Sequence, residues 1–551
     1  MKTSTRTTWT VLLTHVFTFT LFADSVVVKA DKYPDPLVYE LDHNLYDREG
    51  YGKTLLSATV LQNCSFFSFG AGGNSGRNNA ADWIRTAFHD MATYNVMDGT
   101  GGLDASIRFS AEMSRAENPG DGFQNTLTFI APVSVRRYFS MADNIAMAAV
   151  TGFELCGGPK IAYRGGRLDA SEPNAPGVPE PQQGIEEHIS NFARQGFTKE
   201  EMIGLVACGH SFGGVQHITF PDIVPPMNDP TNLSGNAKFD TTFEKFDNKI
   251  ATEYIDGTTK NPLVVGHNDT TNSDLRIFSS DGNRTMARFS KNPAVFRNTC
   301  AELFARMIDT VPKGVTLTQV IKPIEVKPDG FGLVWVGNGK IAVKGELRLW
   351  DTPIPPEVTM KWKARDKKGP EFSVPLSHNV THVTFPHIPD TPGLQSRWYD
   401  LPQPLFLNAN ESISTFWFEI KRSDSSTKVA NLNGAGYSLQ DVIMLSNSTS
   451  QFWNGKDMVW NMTFAVRADV KPSRIYFGFD TFVNGAPTVV EVDVSPSNAT
   501  TTAAAAVDGY ILWNTQFVRT RQMLSTYTVA AVVGDRTYET DPNVSLFVPV
   551  G

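Results

Sequence analysis

The first segment that could do chemistry is Arg85-Thr-Ala-Phe-His89-Asp90. In a helix, Arg85, Phe88 and His89 stand at positions i, i+3 and i+4, so a cation, an aromatic ring and a base share one face. Asp90 points about 100° away from that face. Such a face could move a proton and stabilise negative charge in a reaction. Taken alone, the same residues are more simply an ordinary buried arginine and a satisfied core histidine.

Three other segments carry side chains of the ligand type. His210 and Ser211 end an apolar helical stretch that begins before Leu205, where a lone histidine is by default a core residue. The segments Phe239-Asp-Thr-Thr-Phe-Glu-Lys-Phe-Asp247 and Gly101-Gly-Leu-Asp-Ala-Ser106 are rich in oxygen atoms. Carboxylate and hydroxyl oxygens are ligands that calcium prefers, although the same residues also form polar turns.

The order of these segments resembles the plant and fungal haem peroxidase superfamily, and most closely its secreted fungal (class II) branch. The resemblance covers roughly residues 55–325. The matching motifs are the distal Arg85, Phe88, His89 and Asp90, the calcium loop Gly102, Asp104 and Ser106, the proximal His210 and Ser211, the second calcium loop Asp240, Thr242 and Asp247, and the aspartate segment Ser273-Asp274 to Ser280.

The resemblance implies a haem b cofactor and a role for each residue around it. His210 would bind the iron, and Asp274 would accept a hydrogen bond from its other ring nitrogen, which raises the basicity of the ligand. His89 would take a proton from hydrogen peroxide and return it to the departing oxygen. Arg85 would stabilise negative charge on the breaking O–O bond, and the amide of Asn118 could orient His89.

The same resemblance implies two calcium ions, one on each side of the haem. Each ion would bind a residue next to a pocket histidine and so clamp the helix that carries it. The distal ligands would be Asp90, Gly102, Asp104 and Ser106. The proximal ligands would be Ser211, Asp240, Thr242, the Lys245 carbonyl and Asp247.

Positions at which the sequence differs from the family pattern narrow the class of reducing substrate. Phe88 and Phe239 stand where some members carry tryptophan, so the second oxidising equivalent should lie on the porphyrin. Manganese-oxidising members need three carboxylates, lignin-oxidising members an exposed tryptophan, and ascorbate users an arginine. The corresponding positions here are Asn78, Asp82 and Gln216 for manganese, Leu205 for lignin and Thr219 for ascorbate. The remaining expectation is direct oxidation of small phenols or similar donors at the haem edge.

The cysteines and the N-terminus indicate passage through the secretory pathway. Residues 1–30 combine a short basic start with an apolar run of signal-peptide length, with a membrane anchor as the alternative. An oxidising compartment favours disulfides. Cys64 with Cys156 resembles a family bridge, whereas Cys208 could pair with Cys300 or remain a free buried thiol. Glycosylation sequons begin at Asn63, Asn232, Asn268, Asn283, Asn379, Asn410, Asn447, Asn461, Asn498 and Asn543.

The elements that must position these residues change in character near residue 325. Before it, apolar residues at three- and four-residue spacing predict helices over 78–94, 135–155, 185–195, 198–216 and 292–308. After Pro328-Asp-Gly330, short alternating runs predict strands. We therefore predict a multidomain protein: a mainly α-helical haem peroxidase domain at 31–325, then an all-β, sandwich-like region at 326–551 with one large or two small β-sandwiches.

Composition limits the partners. The 551 residues carry a formal charge of −8, which gives no electrostatic footprint for nucleic acid. With the signal removed, we expect a soluble extracellular peroxidase that acts on hydrogen peroxide and a small aromatic electron donor. The β-rich region could bind a cell-wall polymer or another partner, or simply pack on the helical domain. The rival hypothesis is a non-catalytic extracellular protein built on a degenerate peroxidase scaffold.

Overall fold

The computed structural model describes residues 35–47, 64–70, 72–133, 137–138, 140–350, 352, 354–384, 396–483, 485–494, 499–501, 506–520 and 526–541. The predicted signal segment at 1–30 lies outside these residues, and the domain boundaries remain predictions. Within the described ranges, no helix has the length and apolar character needed to cross a membrane.

The first half of the chain is helical, as predicted. Its α-helices are α1 Pro36–Tyr46, α2 Asn79–Met91, α3 Ser110–Met113, α4 Gly122–Val133, α5 Met141–Leu155, α6 Ile185–Arg194, α7 Lys199–Gly209, α8 Lys249–Asp256, α9 Ser273–Ser279, α10 Arg284–Lys291 and α11 Pro293–Ile308. Short 3₁₀ turns cover Gly72–Ser75, Ser106–Arg108 and Asp269–Thr271, and the strands β1 Gly214–Gln216 and β2 Asn236–Lys238 form a small hairpin.

Helix α7 is shorter than the sequence periodicity predicted. A capping box of Thr198 and Glu201 opens it, but it ends at Gly209 and His210 is its C-cap. The predicted helix over 198–216 was therefore wrong in its last turns. Gly213 has φ of +67°, a left-handed conformation that glycine adopts without steric cost. The chain then enters β1, and this leaves His210 at the helix end.

The second half is built of strands. They are β3 Val326–Gly337, β4 Lys340–Leu349, β5 Glu357–Trp362, β6 Phe372–Pro375, β7 Ser377–Thr384, β8 Ser396–Asp400, β9 Leu405–Asn408, β10 Thr415–Lys421, β11 Thr427–Ala430, β12 Tyr437–Ser438, β13 Ile443–Ser446, β14 Ser450–Trp453, β15 Asp457–Arg467, β16 Arg474–Val483, β17 Ala486–Asp493, β18 Ala499–Thr501, β19 Tyr510–Thr520, β20 Tyr527–Val533 and β21 Arg536–Glu539.

These strands form a ten-stranded sheet that packs against two smaller sheets. Its main path is β18-β19-β15-β13-β3-β4-β8-β7; the five-stranded sheet contains β11-β10-β5-β6 and the four-stranded sheet β17-β16-β20-β21. Alternate residues of β13 face the two smaller sheets. Met444 belongs to the core shared with the five-stranded sheet, and Ile443 and Leu445 belong to the core shared with the four-stranded sheet. The predicted all-β, sandwich-like region is confirmed, and one sheet serves both sandwiches.

Pro328-Asp-Gly330 is part of β3 and does not form the turn before the strands. The register between β3 and β4 shifts between Asp329 and Gly332, which is the mark of a β-bulge. Gly330 has φ of +59° at this point. The turn composition of this tripeptide therefore marks a bulge inside a long strand, and the first strand begins at Val326, before the tripeptide.

Helix α1 was not predicted, and it joins the two halves of the chain. Lys327 Nζ lies 2.9 Å from an Asp42 carboxylate oxygen and 2.8 Å from one of Asp47. Arg348 Nη1 lies 2.9 Å from Asp42 and also contacts Asp47. All four side chains are fully buried, so Asp42 of α1 and Asp47, its C-cap, pair with two cations of β3 and β4.

A second buried contact holds the four-stranded sheet against the helical half. Arg137 Nε lies 2.9 Å from an Asp480 carboxylate oxygen, and its Nη2 donates to the Gly478 carbonyl at 3.0 Å. Nη1 donates to Thr528 and to Glu539. The structure therefore shows the β-rich region packed on the helical half, which is one of the roles expected for it.

The cysteines form two disulfides. Cys64 bonds to Cys156, and Cys208 bonds to Cys300. Both predicted pairs are confirmed, and the alternative of a free thiol at Cys208 was wrong. The first bridge ties the segment before α2 to the end of α5, and the second ties α7 to α11. Both helices that carry the pocket histidines are thus next to a covalent crosslink.

Candidate active site

The distal side of the site is carried by α2. Its N-cap is Asn78, whose side chain accepts a hydrogen bond from Ala81 N at 2.7 Å. His89 Nδ1 lies 2.8 Å from Asn118 Oδ1, and Asn118 Nδ2 donates to the Glu112 carbonyl at 2.9 Å. Because the amide nitrogen is used in that bond, Oδ1 must accept from His89 Nδ1–H. Nε2 is therefore the basic nitrogen of the ring.

Arg85 lies one helical turn before His89. Its Nη2 donates to the Pro119 carbonyl at 3.0 Å, and its guanidinium carbon lies 4.4 Å from the centroid of the Phe123 ring. Burial, followed by the charge of Arg85, holds the pKa of His89 well below its ordinary value. Burial also lowers the pKa of Arg85 to about 10. At neutral pH the pair is therefore a neutral base beside a cation.

The proximal side is carried by the end of α7. His210 Nδ1 lies 2.9 Å from Asp274 Oδ2, which also accepts from Asn261 Nδ2 at 2.7 Å. The His210 ring stacks on Phe239, with centroids 4.2 Å apart. Asp274 is buried at the start of α9, and it fixes the tautomer and orientation of the imidazole. Nε2 is the nitrogen left for a ligand.

His89 and His210 face one common cavity of about 450 Å³. Its walls are mainly apolar, which is typical of a small-molecule or cofactor pocket. The cavity is lined by Arg85, Phe88, His89, Phe192, Leu205, His210, Phe239, Leu263, Asp274 and Phe304, among others. Phe88 packs against Phe192 with ring centroids 5.9 Å apart, so it is a wall residue.

The donor set of this cavity fits a haem. An apolar cleft suits the porphyrin, and one imidazole whose other nitrogen is bonded to a carboxylate suits the iron. Asp274 Oδ1 is buried and has no hydrogen-bond partner among the described residues, so Oδ2 is the oxygen that both His210 and Asn261 bind. Among the described residues that line the cavity, the basic side chains are those of Arg85, His89, His188 and His210.

The oxygen atoms predicted for the proximal calcium ion come together in one turn. Thr242 N donates to Asp240 Oδ1 at 2.9 Å, and Thr242 Oγ1 lies 2.9 Å from Asp247 Oδ1. Lys245 N donates to the Thr242 carbonyl at 2.7 Å. Asp240 Oδ2 is buried and has no hydrogen-bond partner in the described part of the chain. This orphaned carboxylate oxygen fits a cation ligand.

Ser211, the remaining proximal candidate, lies next to the pocket histidine. Its hydroxyl donates to the Cys208 carbonyl at 2.7 Å, and its side chain is fully buried. That hydrogen bond uses the hydroxyl proton and leaves the oxygen lone pairs for a cation. The proximal set therefore fits calcium, with carboxylate and hydroxyl oxygens as the donors.

The distal oxygen atoms are arranged differently, because backbone amides already bind them. Asp90 Oδ2 accepts from Asp104 N at 2.9 Å and from Ala105 N at 2.7 Å. Asp90 Oδ1 accepts from Ile107 N at 2.9 Å. Gly102 belongs to the same loop, with φ of +112°, and a Cβ there would lie 2.8 Å from a carbonyl oxygen.

Asp104 and Ser106 complete the distal set. Ser106 Oγ donates to Glu112 Oε1 at 3.0 Å, and the Asn174 amide contacts both Ser106 and Asp104. Within the described residues, no three His, Cys, Asp or Glu side chains are grouped as a metal site. Hydroxyl and carbonyl oxygens also bind calcium, so the hydrogen bonds that each oxygen already makes decide the fit. Because its oxygen atoms already take part in hydrogen bonds within the protein, the distal set does not fit a cation.

Sequence reasoning missed three residues of the site: Glu112, Asn174 and Asn261. Each is a polar residue in a loop or short helix, and each acts on a predicted site residue across a fold contact. No spacing rule connects Asn261 to Asp274 or Asn174 to Asp104, so the sequence carried no local signal for them. Of the residues that orient a site residue in this way, Asn118 could be predicted, because it lies in the loop that follows the predicted calcium segment.

Comparison with known proteins agrees with this geometry. Residues 70–292 match the family model for peroxidase. A WSC domain-containing protein of Arthroderma benhamiae is 39% identical over 337 residues, which cover 61% of this chain and 45% of the relative. The peroxisomal L-ascorbate peroxidase 5 of Arabidopsis thaliana is 30% identical over 192 residues, 35% of this chain and 63% of the relative.

A third relative is the mitochondrial cytochrome c peroxidase of Yarrowia lipolytica. It is 34% identical over 136 residues, which cover 24% of this chain and 39% of the relative. The chain thus spans less than two thirds of each of these relatives. The superfamily that the motifs indicated is confirmed, whereas its secreted fungal branch stays a prediction. Over residues 70–292, the chain resembles the peroxidase domains of the plant and fungal haem peroxidase superfamily.

Proposed function

We propose that this protein is a secreted haem peroxidase that reduces hydrogen peroxide and oxidises small phenolic or similar donors in one-electron steps at the haem edge. The observation that carries the proposal is that two oriented histidines line one cavity. His89 is bonded to Asn118, and His210 is bonded to Asp274. A degenerate scaffold has no reason to keep both second partners in place.

Each side chain then has a defined task. When bound, the haem iron supplies the redox chemistry that cleaves the peroxide O–O bond. His210 would hold the iron through Nε2, while Asp274 accepts the Nδ1 proton and raises the basicity of the ring. His89 Nε2 accepts a proton from the peroxide and returns it to the leaving oxygen. Arg85 stabilises the negative charge that develops on that oxygen.

The cavity wall supports direct contact with a small donor. Among the described residues that line it, there is no tryptophan or tyrosine that could carry an oxidising equivalent to the surface. The residues compared with a manganese site are otherwise engaged: Asn78 caps α2, and Asp82 pairs with Arg77 at 2.8 Å. Thr219 lines the cavity where ascorbate users have arginine.

The test is a steady-state assay of the full, haem-loaded chain with hydrogen peroxide and a panel of donors. We expect peroxide-dependent oxidation of guaiacol, with ascorbate and Mn²⁺ slower by about tenfold or more, because a missing charged partner costs at least about 1.4 kcal/mol. Haem-loaded protein that oxidises no donor would support the non-catalytic rival. Faster oxidation of ascorbate than of guaiacol would overturn the donor class.

Secretion rests on three features of the chain. The segment at 1–30 has the pattern of a signal peptide, the sequons suit passage through the secretory pathway, and two disulfides suit an oxidising compartment. A cell-wall polymer as ligand of the β-rich region stays a prediction. The burial of Arg137 and α1 between the two halves supports a region that is fixed to the catalytic domain.

A calcium ion at the proximal set would stabilise the end of α7. Asp240, Thr242 and Asp247 would bind it, together with Ser211 next to His210. We expect chelation with EDTA to lower the midpoint of thermal unfolding and to change the Soret band, because an ion that binds only the folded chain stabilises it by about 2.7 kcal/mol at 100 times its Kd. Unchanged melting and spectrum after exhaustive chelation would contradict this site.

A further inference from the structure

We propose that the side-chain amide of Asn174 takes the place of the distal calcium ion, so that this chain holds one calcium ion where the resemblance implies two. Asn174 Nδ2 lies 2.9 Å from each carboxylate oxygen of Asp104 and 2.9 Å from Ser106 Oγ. It lies 3.3 Å from Thr93 Oγ1. An amide N–H donates only, so it presents a positive end to oxygen atoms that would otherwise face a cation.

The other oxygen atoms of the set are occupied as well. Both carboxylate oxygens of Asp90 accept backbone N–H groups. Glu112 accepts from Ser106 Oγ at 3.0 Å through Oε1 and from Asn174 N at 2.8 Å through Oε2. In the part of the chain that is described, none of these oxygens is buried without a partner, whereas Asp240 Oδ2 on the proximal side is. The proximal set therefore has a buried oxygen atom without a hydrogen-bond partner, which an ion requires, and the described distal oxygens do not.

A permanent cation stands at the C-terminal end of α2. The Arg194 guanidinium donates from Nη2 to the Ala92 carbonyl at 2.8 Å and to the Gly177 carbonyl at 2.6 Å. Ala92 is the C-cap of α2, where the helix dipole and the unpaired carbonyls favour positive charge. Arg194 therefore gives the helix that bears His89 the electrostatic support that a calcium ion would give.

Asn174 and Gly177 belong to one segment, residues 174–178, which we call the strap. Glu117 Oε2 accepts from Gly177 N at 3.1 Å and from Val178 N at 3.2 Å, and this fixes the strap to the loop that carries Asn118. The strap thus connects the end of α2 to the residue that orients His89. We infer that protein groups hold the distal geometry without an ion.

The experiment is equilibrium dialysis of the full chain against Ca²⁺, with the bound metal counted per chain. The wild-type protein should bind one equivalent. Asp240→Asn should abolish binding, and Asp104→Asn should leave one equivalent bound. Two equivalents in the wild type, or loss of the ion in Asp104→Asn with retention in Asp240→Asn, would overturn the proposal.

A second variant tests the amide itself without removing a distal residue. Asn174→Asp replaces the donor with a carboxylate of the same shape, so the count should rise from one equivalent to two. A count that stays at one would refute the placement of the amide at the cation position. The inference concerns the same pocket as the proposed function, but a metal count does not depend on turnover. Loss of either conclusion would therefore leave the other intact.

Discussion

His89→Leu should leave haem bound and slow the reaction with hydrogen peroxide by about 10²–10⁴-fold, the contribution typical of general acid–base catalysis. The variant removes the imidazole with which α2 faces the cavity. Leucine has a similar size and suits the apolar neighbours Phe88 and Phe123, which lie within 6.0 Å and 4.8 Å of the imidazole centroid. Stopped-flow absorbance of the haem-loaded protein mixed with peroxide measures the rate.

The matched control is His217→Leu. His217 lies in the same half of the chain, but its Nδ1 is bonded to the Val224 carbonyl at 2.7 Å and its side chain does not line the cavity. The control should react at the wild-type rate. If His89→Leu also reacted at the wild-type rate, His89 would be no part of peroxide cleavage, whatever its geometry.

Arg348→Met should destabilise the folded chain by about 3–5 kcal/mol, the cost of leaving a buried charge uncompensated. Burial alone would raise the pKa of Asp47, but the charges of Arg348 and Lys327 hold it below its ordinary value. The variant leaves Lys327 paired with both Asp42 and Asp47, and His43 beside Asp47. Urea denaturation followed by tryptophan fluorescence measures the effect, since Arg348 stacks on Trp350 at 5.3 Å.

The matched control for this variant is Arg474→Met. Arg474 also pairs with two carboxylates, Glu491 at 2.7 Å and Asp493 at 2.7 Å, but its side chain is 42% exposed. Solvent screens such pairs, so the control should cost about 1 kcal/mol or less. Equal midpoints for the two variants would mean that the buried cluster between α1 and the β-rich region does not hold the halves together.

The sequence predicted those parts of the site that depend on local spacing. Arg85, Phe88 and His89 share a helix face because of their i, i+3 and i+4 positions, and α2 places them on one cavity wall. The two halves of the chain were also predictable, because the hydrophobic period changes from that of helices to that of strands.

The remainder depends on contacts between residues that are distant in the chain. Lys327 meets Asp47 across 280 residues, and no periodicity encodes such a pair. Helix α7 continued in the prediction because apolar residues follow His210, whereas the helix ends at Gly209 and the left-handed Gly213 turns the chain into β1. The family pattern favoured calcium on both sides, but the donor that faces Asp104 is Asn174, which lies 70 residues further along. Tertiary hydrogen bonds decide each of these points.

The most direct test of the account is a haem titration of the purified full chain, followed by absorption spectroscopy of the wild type and of His210→Ala. The account predicts one equivalent of haem with the Soret band of a histidine-bound iron, and loss of that band or of binding in the variant. A wild-type chain that binds no haem, or a variant with an unchanged spectrum, would contradict the central claim that His210 and His89 enclose an iron porphyrin.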